Sequence, residues 1–181
     1  MSTKTRSNNK RCTYVTEENT QRWLIMNVNK TSKIFEDLKL IIEPEAQISI
    51  LSPNRLIITA NIDKLEFIAN LLKSYGFDHV KSVTAIDYPM KNVIEISYLI
   101  SSFSNLDLSK TILILKTFID RNKSISKSLY KVWPSVEFME RETYDLMGIL
   151  FEEHPENAPL ILPEDYKGTR PLRKDFKITK Y

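Results

Sequence analysis

The spacing of proline in the last quarter of the chain most restricts how this sequence can fold. Pro155, Pro159, Pro163 and Pro171 follow one another at short intervals after Gly148. Proline lacks a backbone N–H and clashes with the preceding helical turn, so such a run forms neither a regular helix nor a central strand. We therefore expect the residues after Gly148 to be extended.

Apolar side chains recur along this extended segment. An isolated domain gains nothing by exposing a row of them, whereas a segment that lies on a second protein buries it. The row therefore predicts contact with a partner. Its members are Ile149, Leu150, Phe151, Leu160, Ile161, Leu162, Leu172 and Phe176.

Periodic apolar residues upstream predict the fold class. Helical spacing predicts one helix at residues 30–42, with Thr31 or Ser32 as its N-cap, and a second that ends at Gly76. The order of elements predicts an α+β fold: a mixed, mostly antiparallel sheet with helices on one face, then a helix and an extended proline-rich segment. The predicted strands are Gln47–Leu51 and Arg55–Asn61, which form a hairpin, and His79–Ile86, Val93–Ser101 and Thr111–Phe118.

The chain divides into three parts by composition. Residues 1–20 are basic and lack apolar periodicity, which predicts a flexible arm, and residues 21–121 hold the predicted α/β domain. Residues 122–181 begin with a polar Ser/Lys linker up to Tyr130, continue with a helix at Ser135–Met147, and end in the extended segment. A proline before that helix and a glycine after it suit its two ends.

The residue types present argue against a cofactor bound by this chain itself. With only 3 glycines, the sequence contains neither glycine-rich nucleotide-binding pattern. Cys12 is the single cysteine, whereas an iron–sulfur cluster takes about four thiolates. Neither His79 nor His154 has a second ligand at zinc spacing. We expect no cofactor or metal here, and a reducing compartment.

Charge and hydropathy exclude other classes. The longest apolar stretches fall far short of the roughly 20 residues of a membrane-spanning helix, and the basic N-terminus has no apolar core of a secretory signal. The net charge of +3 is mild. Lys and Arg gather at both ends, and a nucleic-acid-binding module remains an alternative, although no recognisable reader fold supports it.

The helix at Ser135–Met147 is dense in charge, and its pattern has two interpretations. Glu137, Arg141 and Asp145 follow one another at four-residue spacing, which suits ion pairs on a solvated helix face. Alternatively, Arg141 is the planar fork of an ionic network at an interface. A glycosidase pair is disfavoured because it needs carboxylates facing each other across a cleft.

The residues of this helix resemble a known family. Residues 140–149 (Glu-Arg-Glu-Thr-Tyr-Asp-Leu-Met-Gly-Ile) are similar to the signature helix of the complex I "30 kDa" subunit family, whose members belong to NADH-quinone oxidoreductases. The similarity continues in further motifs, so that it covers about Phe77 to Phe176. These are Val83–Tyr88, Val132–Pro134, His154-Pro155, Leu162–Tyr166, Gly168 and Pro171–Phe176.

The resemblance implies a protein without catalytic residues, flavin or cluster, whose C-terminal segment wraps the large quinone-site subunit of complex I, next to an iron–sulfur subunit. It implies a position on the inner face of an energy-converting membrane, in an assembly that oxidises NADH or another donor, reduces quinone and pumps ions. The implied interface residues are Glu140, Arg141, Glu142, Tyr144, Asp145, His154, Pro171, Leu172, Arg173, Lys174, Asp175 and Phe176.

The sequence departs from the family pattern at several positions. Glu153 stands where glycine is frequent, no basic residue follows soon after His154-Pro155, and two residues separate Gly168 from Pro171 where one is common. Energy-converting membrane-bound hydrogenases have an equivalent subunit with similar spacing. Membership in such a hydrogenase is the alternative interpretation of this chain.

Overall fold

Runs of alternating aliphatic residues form the centre of the molecule, a five-stranded sheet. A computed structural model describes residues 31–166 and 168–177. The strands are β1 (Ala46–Ser52), β2 (Arg55–Ala60), β3 (His79–Tyr88), β4 (Val93–Ser101) and β5 (Ile112–Asp120). They lie in the order β1-β2-β5-β4-β3, and all neighbours are antiparallel except β2 and β5, which are parallel. The predicted mixed, mostly antiparallel sheet is confirmed.

Three helices accompany this sheet. Residues 31–42 are helical (α1), and α2 (Leu65–Tyr75) and α3 (Glu137–Met147) follow. The predicted N-caps Thr31 and Ser32 are wrong, because both residues are already helical. Gly76 ends α2 with a φ of 120°, and its N–H bonds the carbonyl of Leu72. A side chain at this φ would be strained, which is why glycine occupies the end of the helix.

The core lies on one face of the sheet because apolar residues alternate in register on adjacent strands. Leu56 of β2 pairs with Leu113 of β5, and Leu115 lies opposite Tyr98 of β4. All four side chains are fully buried. The helices α1 and α2 cover them with Ile34, Leu38, Ile42, Leu65, Ile68 and Leu72.

Two expectations about the region after β5 are wrong: that residues 122–130 are a linker, and that the whole apolar row from Ile149 onward contacts a partner. The linker predicted at residues 122–130 contains a short strand, β6 (Ile125–Lys127), which pairs in parallel with β7 (Leu150–Glu152). The pairing turns the chain after α3 back onto its own domain, so Ile149 and Phe151 are fully buried there. These two members of the apolar row therefore contribute to the chain's own core.

The core continues across the predicted boundary after residue 121. Trp133 is 1% exposed, belongs to the same core cluster as the sheet, and donates its Nε1–H to the carbonyl of Phe77 at 3.0 Å. The segment from β6 to β7 is thus packed directly on the α/β domain. The predicted arm at residues 1–20 lies outside the described residues.

Candidate subunit interface

The end of α3 sets the direction of the chain that follows it. Pro134 opens a 3-10 turn that leads into the helix, as predicted, and Gly148 ends the helix with a φ of 69°. Its N–H bonds the carbonyl of Tyr144 at 2.8 Å. After β7 the chain turns back along α3. We call residues 153–166 and 168–177 the C-terminal segment.

Glu140 lies inside the protein rather than on a solvated helix face. It is fully buried, and its carboxylate accepts hydrogen bonds from the Tyr98 hydroxyl (3.0 Å), the Ser128 hydroxyl (2.5 Å) and the Leu129 N–H (3.0 Å). Burial raises the pKa of Glu140 above its usual value, although the three donors work against the shift. Glu140 therefore supports α3 from within and does not itself face a partner.

Arg141 ties the C-terminal segment to α3. Its Nε donates to the carbonyl of Ala158 at 3.2 Å and its Nη2 to that of Pro159 at 3.0 Å, while Nη1 pairs with Glu156 at 2.9 Å. In the described part of the chain, this pair takes the place of the four-residue-spaced ion pairs that the sequence favoured. The planar guanidinium thus binds two carbonyls and one carboxylate of the segment at once, a geometry that lysine cannot reproduce.

Asp145 holds the next residues of the segment through one carboxylate oxygen. Its Oδ2 accepts the backbone N–H groups of Leu160 (3.1 Å), Ile161 (2.8 Å) and Leu162 (2.8 Å). Burial acts to raise the pKa of Asp145, but these N–H groups outweigh it, and the pKa is lowered from its usual value. The ionised carboxylate thus fixes a turn of the segment against the helix.

His154 fixes the entry to the segment through both nitrogens of its ring. Its Nδ1 accepts the N–H of Glu156 at 3.0 Å, and its Nε2 lies 3.0 Å from the carbonyl of Glu137. Because a carbonyl can only accept, Nε2 carries the proton. The ring therefore bridges α3 and the segment.

A second cluster, which the sequence motifs did not predict, anchors the far end of the segment to the sheet. Arg121 binds Asp87 through two hydrogen bonds of 2.7 and 3.0 Å and also pairs with Asp175 at 2.9 Å. Asp87 accepts the N–H of Lys174 at 3.0 Å as well. The guanidinium of Arg121 holds the pKa of Asp87 below its usual value. Asp87 could have been found from the sequence, because it lies in the motif Val83–Tyr88, whereas no motif includes Arg121.

Arg173 completes this anchor from the segment side. Its Nε donates to the carbonyl of Met147 at 2.8 Å, and Nη2 donates to the Ser124 hydroxyl at 2.6 Å. Arg173 therefore joins the end of α3 to the residues before β6. It was predicted to contact a partner, and the structure shows it bound to its own domain.

The other predicted interface residues lie at or near the surface. Leu172 is 57% exposed, and Glu142, Lys174 and Asp175 are exposed. Tyr144, Pro171 and Phe176 are partly buried, and the guanidinium carbon of Arg170 lies 5.7 Å from the centre of the Tyr144 ring. Beside them the segment exposes Leu160 (41%) and Ile161 (54%). The polar anchors thus order a segment whose apolar side chains remain uncovered.

Substituting alanine for Gly148 tests how closely the segment depends on the end of α3. A Cβ at this position would overlap the Arg170 side chain at Nε, and the φ of 69° is unfavourable for any L-residue. We expect Gly148→Ala to cost about 1–2 kcal/mol of folding free energy and to displace Arg170 from Tyr144. Chemical denaturation measures the first effect. Gly168→Ala is the control, because its φ is 84° but no heavy atom lies within 4 Å of its Cβ. Equal losses in both variants would contradict a role for the Arg170 contact.

In the described ranges 31–166 and 168–177, no helix has the length and apolar character needed to cross a bilayer.

Comparison with known proteins identifies a family match over most of the chain. Residues 58–181 match the family model described as the 30 kDa subunit of respiratory-chain NADH dehydrogenase. One subunit of the F(420)H(2) dehydrogenase of Methanosarcina mazei is 38% identical over 150 residues, which cover 78% of this chain and 92% of that protein. One subunit of the NADH-quinone oxidoreductase of Moorella thermoacetica is 34% identical over 114 residues, covering 63% and 74% of the two chains.

Solved structures show the same fold. A chain of the membrane-bound sulfane sulfur reductase, an archaeal respiratory membrane complex, superposes with a TM-score of 0.74 at 27% identity, covering 82% of this chain and 86% of that one. A trypsin-resistant fragment of Nqo5 superposes with a TM-score of 0.58 over 70% of this chain and 98% of the fragment. At 20% identity, the second likeness shows the fold alone.

Proposed function

The chain belongs to the family of the 30 kDa subunit of respiratory-chain NADH dehydrogenase, and we propose that it is a non-catalytic, cofactor-free subunit that docks through its C-terminal segment. It is part of a complex I-type, NADH-quinone oxidoreductase-like assembly. The proposed partners are the large quinone-site subunit and the adjacent iron–sulfur subunit of that assembly. Through them the chain would lie on the inner face of an energy-converting membrane.

The observation that carries the docking proposal is an ordered segment with uncovered apolar side chains. Arg141 and Asp145 fix residues 156–162 against α3, while Leu160 and Ile161 remain exposed. Polar contacts that order a segment without burying its apolar side chains create a preorganised surface, and preorganisation lowers the entropic cost of binding.

Two further observations support a role without catalysis. The chain has one cysteine, too few for an iron–sulfur cluster, which takes about four thiolates. Its relatives carry names that state different electron donors, F(420)H(2) in one and NADH in another. A subunit shared by assemblies with different donors is suited to support the common part of the electron path rather than to contact the donor.

A double substitution tests the docking surface directly. We expect Ile161→Asp with Leu172→Asp to leave the isolated chain folded, because both side chains are more than half exposed. Binding to the partner should weaken by about thirtyfold or more, the effect of losing a central apolar anchor. The measurement is affinity purification of the tagged full chain from detergent-solubilised native membranes, with mass spectrometry and metal analysis of the recovered subunits.

Leu40→Asp is the matched control, since Leu40 is 83% exposed on α1. Normal recovery of partner subunits with the double variant would contradict the docking proposal. Recovery of nickel with the wild-type chain would instead assign it to a membrane-bound hydrogenase. Iron without nickel, together with quinone reduction, supports the complex I-type assembly.

A further inference from the structure

The outer edge of β3 lacks a neighbouring strand among the described residues. β3 is the last strand of the sheet and pairs only with β4. Every second residue of an edge strand directs its N–H and C=O away from the sheet, and natural proteins protect such edges with bulges, lysines or a covering segment. The edge of β3 shows such protection at each of its two ends.

The two ends of the edge are closed, and the middle is open. At the first end, the register shifts between Val80 and Ser82, where Lys81 is exposed. At the other end, the C-terminal segment contacts the strand, where the Lys174 N–H donates to the side-chain carboxylate of Asp87. Between these points, residues 82–86 form an unprotected stretch with regular pairing to β4.

A groove of about 250 Å³ runs along this open stretch. Ser82, Val83, Thr84 and Ala85 all line it. Side chains of successive residues point to opposite faces of a sheet, and lining by four consecutive residues fits a groove that follows the strand edge. The opposite wall is formed by Glu142, Thr143, Leu146 and Met147 of α3 and by Leu172.

We propose that this groove receives an extended segment of a neighbouring subunit, which adds to the sheet as a sixth strand beside β3. The inference rests on the proposed function and names the partner's contacting element. Backbone N–H and C=O groups of a strand edge are satisfied most completely by another strand. Leu172 lines both the groove and the proposed docking surface, so the two are continuous.

The charges of the groove indicate the chemistry of the added strand. Glu142 is exposed at the wall and has no ion-pair partner among the described residues. The added strand should therefore place a lysine or arginine opposite Glu142 and small or β-branched residues beside Val83 and Ala85. A second copy of this chain is disfavoured, because its α3 would bring a second Glu142 to the same edge.

Hydrogen–deuterium exchange of the full chain, free and in the purified native complex, tests the proposal. We expect alternate amides within residues 82–86 to exchange at least about tenfold more slowly in the complex, since they gain hydrogen-bond partners there. Glu142→Lys should weaken binding of the chain to its partners about tenfold, because it places like charges opposite each other. Glu36→Lys is the matched control, an exposed helical glutamate on α1 at the other end of the sheet.

Each other result overturns the proposal in a different way. If residues 82–86 exchange equally fast in the free chain and in a complex that still forms, the added strand is contradicted, whereas the proposed docking function is not. Protection in the free chain that grows with concentration would identify a second copy, and protection independent of concentration would identify this chain's own residues. Failure to recover any complex would overturn the proposed function itself. If Glu142→Lys binds the partner subunits with unchanged affinity, the added strand does not place a lysine or arginine opposite Glu142.

Discussion

Replacing Glu140 by alanine is expected to lower the free energy of unfolding by about 3–5 kcal/mol. The substitution leaves the Tyr98 hydroxyl, the Ser128 hydroxyl and the Leu129 N–H in the interior without their acceptor. A buried donor that loses its partner keeps the full cost of its lost hydration, about 1–3 kcal/mol each. Chemical denaturation at neutral pH measures the loss.

Glu140→Gln separates the hydrogen bonds of Glu140 from its charge. Burial raises the pKa of Glu140 above the usual 4.5, so the folded state binds this proton more tightly than the unfolded state. The part of the folding stability that comes from this pKa shift is therefore complete below pH 4.5 and is lost as the pH rises through the folded-state pKa, whereas the three hydrogen bonds to the carboxylate remain at neutral pH. We expect the glutamine variant to keep most of the stability and to lack this decline. Equal losses for alanine and glutamine, or an unchanged pH dependence, would contradict the role assigned to the carboxylate.

Replacing Asp145 by alanine is expected to release the C-terminal segment while the sheet stays folded. Leu160, Ile161 and Leu162 would lose the common acceptor of their N–H groups. Hydrogen bonds to a charged group contribute about 1.5–3 kcal/mol each, and the segment can recover part of this from water. We expect local protection of these amides to fall by about 3 kcal/mol, roughly a hundredfold in exchange rate. Partner subunits should then be recovered poorly.

Asp145→Asn is the control for this second result. An asparagine keeps a carbonyl oxygen at nearly the same place but loses the charge, so its effect should be smaller than that of alanine. The lowered pKa of Asp145 means that its contribution is complete above the usual 3.8 and is lost as the pH falls through the folded-state pKa. Unchanged exchange of the three amides in Asp145→Ala would show that other contacts hold the segment.

The sequence was sufficient to predict those elements whose cause is local. Short apolar runs between turn residues identified all five strands of the main sheet, and Gly148 identified the end of α3. The short strand β6 was missed because three residues between serines and lysines show no periodicity of their own. It forms because β7 returns beside it, and that pairing lies outside any local window.

The candidate interface was predicted only in part, for a related reason. A glutamate on a charged helix is ordinarily solvated, and nothing near Glu140 in the sequence indicates burial. Its partner Tyr98 lies 42 residues away. The pairing of Arg121 with Asp87 spans 34 residues and is equally invisible to spacing rules. Several of the residues predicted to touch a partner instead hold the C-terminal segment against the chain's own domain.

The anchor between Arg121 and the C-terminal segment also has a consequence for the order of events during synthesis. Arg173 follows Arg121 by 52 residues. A ribosome that adds about 5–20 residues per second needs roughly 3–10 seconds for this stretch. The strands of the main sheet therefore emerge before the residues that complete the proposed docking surface have been made. A partner that recognises the finished surface engages only late in translation or after release, when the sheet beneath it has already had time to form.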